Sequence, residues 1–194
     1  MIRFDHQVIG QWIKQGSRVL DLGCGDGQLM KYLQDKYHVS GYGVEIEVDR
    51  VVSAIANGVN VIQRDLESGL LGFAEQSFDT VILSQTLQAM RKTEFLLNDM
   101  LRVGREGIVT FPNFGYWKNR WQVLTGYMPK SEDMPYEWHN TPNIHLCTLN
   151  DFERLCERLH IQVIERHVIT EGKTVRVAPN LLGSLAMYRV TKTA

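Results

Sequence analysis

The chain has little cysteine: Cys24, Cys147 and Cys156 are its only three among 194 residues. An odd count with no C-x-x-C pair excludes a disulfide framework and a zinc ribbon, and free thiols in a reducing cytoplasm are expected. Excess charge is missing too. The formal net charge is −1, so no general attraction to nucleic acid or to an anionic membrane surface is expected. No apolar run reaches the length of a membrane span. The opening residues, Met1-Ile2-Arg3-Phe4-Asp5-His6, contain an acid and no long apolar core, unlike a secretory signal. There is no internal repeat and no low-complexity tract.

What remains is ordinary globular material, 44% hydrophobic and 22% charged, of a length that suits one domain with a sizeable core. Strand and helix patterns alternate with short turns, as a doubly wound parallel sheet requires. Helices are expected near Asp5–Lys14, Gln28–Tyr37, Val48–Ala56 and Glu94–Val103. Asn57-Gly58 is the stop of the third of these. Strands are expected at Arg18–Leu22, Gly41–Glu45, Val59–Gln63, Phe78–Ser84 and Glu106–Phe111, with Pro112 ending the last and Asp79 a turn residue before the fourth. From about 112 to 147 the pattern loosens, and so long an irregular stretch suggests a lid or a binding surface. Thr148-Leu149-Asn150-Asp151 then opens a helix reaching about His160, and Ile161–Thr170 and Ala186–Val190 read as the last strands.

The richest segment is Val19-Leu20-Asp21-Leu22-Gly23-Cys24-Gly25-Asp26-Gly27. It reads as a buried strand that stops in a glycine turn and feeds a helix. Glycines at alternate positions let the backbone bend sharply and approach a ligand closely. A dinucleotide fingerprint fits poorly, because the third glycine comes one residue early and Gln28 takes its place. Asp26, beside the helix start, would repel a pyrophosphate there. Asp21 at the strand end suits a ligand with a positive amino group. A cofactor with an amino-acid end and a sulfonium therefore fits better than NAD. Glu45 falls about twenty residues beyond the loop, where an acid chelates ribose hydroxyls. Its rival Glu47 would more naturally open the next helix. Asp65, ending the third strand, can accept from an adenine amine or cap a helix.

These words resemble motif I, its acidic successor and motif II of class I S-adenosylmethionine (SAM) dependent methyltransferases. Longer words, Leu83-Ser84-Gln85-Thr86-Leu87-Gln88-Ala89-Met90, Phe111-Pro112-Asn113-Phe114-Gly115, Pro135-Tyr136-Glu137-Trp138 and Asn140-Thr141-Pro142-Asn143-Ile144-His145-Leu146-Cys147, resemble the methionine-biosynthesis family MetW over nearly the whole chain. The resemblance implies one α/β Rossmann domain of the SAM-methyltransferase type over 1–194. Its sheet would be mostly parallel and seven-stranded, closing in an antiparallel C-terminal hairpin. It implies a site for SAM or S-adenosylhomocysteine. Asp21 with Gly23, Gly25 and Gly27 would hold the methionine part, Glu45 the ribose and Asp65 the adenine, with Cys24, Ile46, Leu66 and Ser84 as further cofactor-binding residues. It also implies a partner, homoserine O-acyltransferase of the MetX type.

Small-molecule methyltransferases often carry a His or an acid at the end of strand four. Here stand Gln85 and Gln88, which take no proton at neutral pH. Methyl transfer demands positioning and desolvation more than side-chain chemistry, so the substitution leaves the activity open. Tyr136 and His145 are the further candidates for an acceptor pocket or for holding a lid. The aromatic run from Phe111 to Trp117, with Lys118, Arg120 and Trp121 behind it, reads as a hydrophobic cover or a protein interface. Base stacking is its alternative. His139, His145 and Cys147 lack a second close pair with zinc-like spacing, so no metal is expected. Two functions follow as expectations: an accessory or regulatory subunit of the acyltransferase, or a free-standing methyltransferase acting on a small molecule.

Overall fold

The structure, a computed structural model, describes residues 3–193. One eight-stranded sheet runs in the order β3-β2-β1-β4-β5-β8-β6-β7. Strands β1 (Arg18–Leu22), β2 (Ser40–Glu45), β3 (Val61–Gln63), β4 (Phe78–Ser84) and β5 (Gly104–Pro112) are parallel. β8 (Leu185–Lys192) inserts antiparallel between β5 and β6 (Ile161–Thr170). The expected antiparallel closing pair is therefore present. The expected count of seven is corrected to eight by β7 (Lys173–Thr174), a two-residue edge strand folded back on the end of β6. Two residues carry no readable alternation, which is why the sequence hides it.

Alternate strand residues feed two cores, one per face. Leu20, Leu22, Val81, Leu83, Val109 and Phe111 pack with α4 (Thr93–Val103) and α6 (Leu149–Arg158). Val19, Ile82 and Ile108 pack with α1 (Phe4–Trp12), α2 (Gln28–Tyr37) and Ala54 of α3 (Val48–Ala56). Asp21 lies between Leu20 and Leu22 and so points to the α1–α2 side. In the first core Phe111 stacks on Tyr188 at 5.8 Å between ring centroids, and Phe152 leans on both.

Local chemistry sets the boundaries. Thr148 caps α6 by accepting from the Asp151 N–H at 3.3 Å, as its sequence promised. β3 starts at Val61 rather than Val59, because the Val59 N–H is spent on the Ala54 carbonyl at the end of α3. Asp79 is not a turn residue: it lies inside β4, and its carboxylate accepts from the Arg18 N–H at 2.8 Å. The stretch expected to be irregular contains α5 (Trp117–Leu124), and α7 (Pro179–Leu182) is a further short helix. Among the described residues no helix is long and apolar enough to cross a membrane.

Candidate functional site

Because β1, β2 and β4 run parallel side by side, their carboxyl ends open on one edge, where ligands bind in open α/β sheets. The turn after β1 is fixed to β2. The Gly23 and Cys24 N–H groups both donate to the Val44 carbonyl, at 2.8 and 3.1 Å. The Gly25 N–H donates to Glu45 Oε2 at 2.9 Å, and Glu45 Oε1 accepts from the Ile46 and Glu47 N–H groups at 2.8 and 3.1 Å. Glu45 is buried against the turn. Glu47 instead stands at the N-terminus of α3 and pairs with Arg50. The geometry thus separates the two rivals.

Gly25 and Gly27 serve different ends, though both lie in the left-handed region, at φ +57° and +80°. A Cβ on Gly27 would meet Val59 Cγ2 at 2.9 Å and Ala54 Cβ at 3.1 Å, so this glycine lets α2 and α3 pack. A Cβ on Gly25 would meet nothing within 4 Å. Gly25 opens onto free space, as a ligand cradle requires. Asp26 holds the first turn of α2, its carboxylate accepting from the Gln28 N–H at 3.3 Å and the Gln28 side-chain amide at 2.6 Å.

Asp21 is 2% exposed, and its Oδ1 is buried without any hydrogen-bond partner among the described residues. Burial, and then the Glu45 charge, lift its carboxyl from 3.8 to about 7. The Cys24 thiol beside it is pushed up to about 12, by burial first and by Asp21 and Glu45 next. It stays protonated and is no nucleophile.

At the end of β4, Ser84 Oγ lies 3.2 Å from Thr110 Oγ1, and the Gln85 N–H donates to the Thr110 carbonyl and hydroxyl, both at 3.0 Å. These bonds hold Gln85 at φ +50°, a conformation unusual for a residue with a side chain. Gln85 Nε2 donates to the Asp5 carboxylate at 3.4 Å. Here the structure adds residues that the sequence reading missed. Asp5 and His6, both buried, come from the first turn of α1, and Arg3 clasps Asp5. Burial dominates over the neighbouring Asp5 and Asp26 carboxylates and lowers the His6 pKa. Burial raises the Asp133 carboxyl, against a hydrogen bond with Ser184 that lowers it. A signal existed: Asp5 lies four residues before Ile9 and seven before Trp12, a polar group on an otherwise apolar buried stripe.

The other candidates scatter. Asp65 is exposed and caps a short 3-10 turn, accepting from the Glu67 N–H at 2.9 Å, while Leu66 is buried in the core and Ile46 is exposed. Tyr136 lines a small cavity with Phe114, Met134 and Trp138. Gln88 and His145 line a different, larger one between α4 and α6. Tyr136 and His145 thus line separate cavities that share Leu146. The Phe111–Trp117 run is not a uniform cover. Phe111, Asn113 and Tyr116 are buried and Phe114 is half-buried, while Trp117 and, behind the run, Lys118, Arg120 and Trp121 are exposed.

The sequence model of the family described as "Methionine biosynthesis protein MetW" matches residues 3–190. The bifunctional methionine biosynthesis protein MetXA/MetW of Rhodopirellula baltica is 37% identical over 189 residues. That match covers 92% of this chain and 30% of the relative, so this chain spans less than a third of the relative's length. Among solved structures, an S-adenosylmethionine dependent methyltransferase from Mesorhizobium loti superposes with a TM-score of 0.71 at 15% identity, covering 97% of each chain. A SAM-dependent methyltransferase from Thermotoga maritima, a possible histamine N-methyltransferase, gives 0.70 at 17% identity, covering 98% of this chain and 90% of that one. At such identities these likenesses establish the fold.

Proposed function

The chain belongs to the MetW family of methionine-biosynthesis proteins, and from that premise we propose that it binds SAM or S-adenosylhomocysteine and acts as an accessory, regulatory partner of a MetX-type homoserine O-acyltransferase in the cytoplasm. One observation carries the ligand: Asp21, a buried carboxyl whose Oδ1 has no partner among the described residues, at the foot of a glycine turn that is open at Gly25. A buried carboxyl without a donor is costly, and a ligand ammonium would both satisfy it and favour its charged form. In this reading Asp21 and the turn take the amino-acid end of SAM, Glu45 the ribose and Asp65 the adenine, with Ile46, Leu66 and Ser84 as further contacts.

The partner is supported by the relative that carries MetXA and MetW in one polypeptide. SAM is the end product of the route that the acyltransferase opens, so a SAM site on its partner would give feedback. Feedback requires SAM to bind two states of the complex with different affinity. In that arrangement the stretch 112–147 is the lid or partner-binding insert.

The test is an acyltransferase assay with homoserine and an acyl donor, with and without this chain, and with and without SAM. Stimulation by the chain that SAM modulates is the expected result. Stimulation indifferent to saturating SAM removes the regulatory part. No association and no stimulation removes the partnership.

Asp5 bonded to Gln85, with the buried His6 next to it in α1, favours a second reading, methyl transfer to a small acceptor. SAM would supply the methyl group on its sulfonium. Burial keeps the His6 imidazole neutral at neutral pH, so a ring nitrogen is free to take a proton from an acceptor, and Asp5, fixed by Arg3 and Gln85, would orient it. Gln88 and His145, which line the cavity between α4 and α6, and Tyr136, in a second cavity, take no part in this reading. Transfer of labelled methyl from SAM to a panel of small amines and thiols tests it; no labelled product would remove this reading.

A further inference from the structure

We propose that the cavity between α4 and α6 is a second ligand site, built for a small organic anion that carries an apolar body and a hydrogen-bond donor. The cavity measures about 550 Å³, within the range of small-molecule sites. It shares no lining residue with the glycine turn, Asp21, Glu45, Asp65, Asp5, His6 or Gln85. It lies on the sheet face of the α4–α6 core, opposite the face that carries α1. A ligand there would leave the SAM groove free.

Three features define its chemistry. The floor is apolar: Phe111 and Phe152 lie at its base with Leu155 beside them, and the side chains of Phe95 and Leu146, about half exposed, flank it. The rim is cationic. Arg91, Lys92 and Arg158 face two carboxylates, Glu94 and Asp151. Glu94 is already paired with Arg158, and the Thr148 hydroxyl donates to Asp151 at 2.6 Å. Arg91 and Lys92 have no ion-pair partner among the described residues. The first turn of α4 opens on the same rim. Lys92 stands at the cap position and offers no capping side chain, so these N–H groups add to the positive field.

The third feature is Gln88 in the cavity wall. It is 9% exposed, its Nε2 donates to the Gln85 carbonyl at 2.8 Å, and its Oε1 is buried with no partner among the described residues. Native proteins rarely leave such an oxygen unsatisfied. A ligand N–H or O–H at this wall would satisfy it, while a carboxylate reached Arg91 and Lys92 and the apolar body covered Phe95 and Leu146.

The probe is N-hexanoylglycine, which joins an alkyl tail, an amide N–H and a carboxylate. It is titrated into the full chain by calorimetry and followed by amide NMR. Saturable binding that moves the Phe95, Leu146 and Arg91 signals is the expected result. N-methylhexanamide, without the charge, and acetate, without the tail, should each bind at least about tenfold more weakly. Exposed R91E/K92E should weaken the probe by a similar factor, and L155W should fill the cavity and abolish binding. The melting temperature of R91E/K92E should match that of the parent. No saturable binding, equal binding of the uncharged amide, equal binding of acetate, or indifference to R91E/K92E would each overturn the proposal.

Discussion

The Gly25 N–H and the Glu45 carboxylate lie 2.9 Å apart and fix the glycine turn to the end of β2. Glu45 accepts from three backbone N–H groups, of Gly25, Ile46 and Glu47. An amide in its place would turn an NH2 toward at least one of these donors. Glu45→Gln is therefore expected to loosen the turn and remove the ribose acceptor together. Charge-assisted hydrogen bonds contribute about 1.5–3 kcal/mol, so SAM affinity should fall about ten- to hundredfold. Calorimetric titration of SAM and S-adenosylhomocysteine checks this. Unchanged affinity would remove Glu45 from the site.

Asp21 makes stability and binding depend on pH. Its folded pKa is about 7 against 3.8 unfolded, so between these values the folded protein holds the proton that the unfolded chain has lost. Stability from this group is complete below about pH 4 and is lost as pH rises through 7, with a slope of up to about 1.4 kcal/mol per pH unit. Asp21→Asn cannot ionise. It should melt higher than the parent at pH 8, by at least about 1 kcal/mol in stability, and equal it near pH 4. The same variant should lose SAM affinity, since it offers the ligand ammonium no charge. In the parent, SAM binding at pH 6 should release a proton, visible as a dependence of the binding enthalpy on the buffer.

Gly25 and Gly27 should respond differently to alanine. Gly27→Ala puts a methyl against Val59 and Ala54 in a left-handed conformation, and the conformation alone costs about 1–2 kcal/mol. Its melting temperature should fall clearly. Gly25→Ala meets no protein atom within 4 Å, so it should lose only the conformational part of that stability and yet block the SAM cradle. Thermal melts beside SAM titrations separate the two. A normal SAM affinity in Gly25→Ala would mean that the open space is not a ligand cradle.

Much of this architecture was legible because β1, α2, α3 and β4 coincide with their sequence patterns, residue for residue. Each is a strong local signal: a glycine turn, an amphipathic stripe, a run of buried β-branched residues. Local pattern failed where long-range contacts decide. β7 exists only because β6 offers it an edge. Asp5 and His6 look like ordinary residues of a first helix, and only the packing of α1 brings Asp5 to Gln85, eighty residues away in sequence. Gln88 and His145 share a cavity for the same reason: the Gln88 carbonyl accepts the Ile144 and His145 N–H groups, both at 2.9 Å.

Asn113 shows how a motif can be conspicuous in sequence and yet structural. In the Phe111-Pro112-Asn113-Phe114-Gly115 word it is fully buried. Its Nδ2 donates to the Asn180 and Gly183 carbonyls at 3.0 and 2.8 Å, and its Oδ1 accepts from the Gly115 N–H at 2.9 Å. Its own carbonyl accepts from Asn119 Nδ2 at 3.1 Å. One side chain thereby ties the end of β5 to α7 and to the turn that enters α5. Asn113→Ala would leave the buried Gly183 carbonyl, the partly buried Asn180 carbonyl and the buried Gly115 N–H without this partner, the buried groups costing about 1–3 kcal/mol each. A loss of about 3 kcal/mol or more in urea unfolding is expected. Asn113→Asp should fail almost as badly, because it keeps the acceptor for Gly115 but turns a second oxygen toward two carbonyls. If Asn113→Ala unfolds like the parent yet loses stimulation of the acyltransferase, the segment acts at an interface rather than as a clamp.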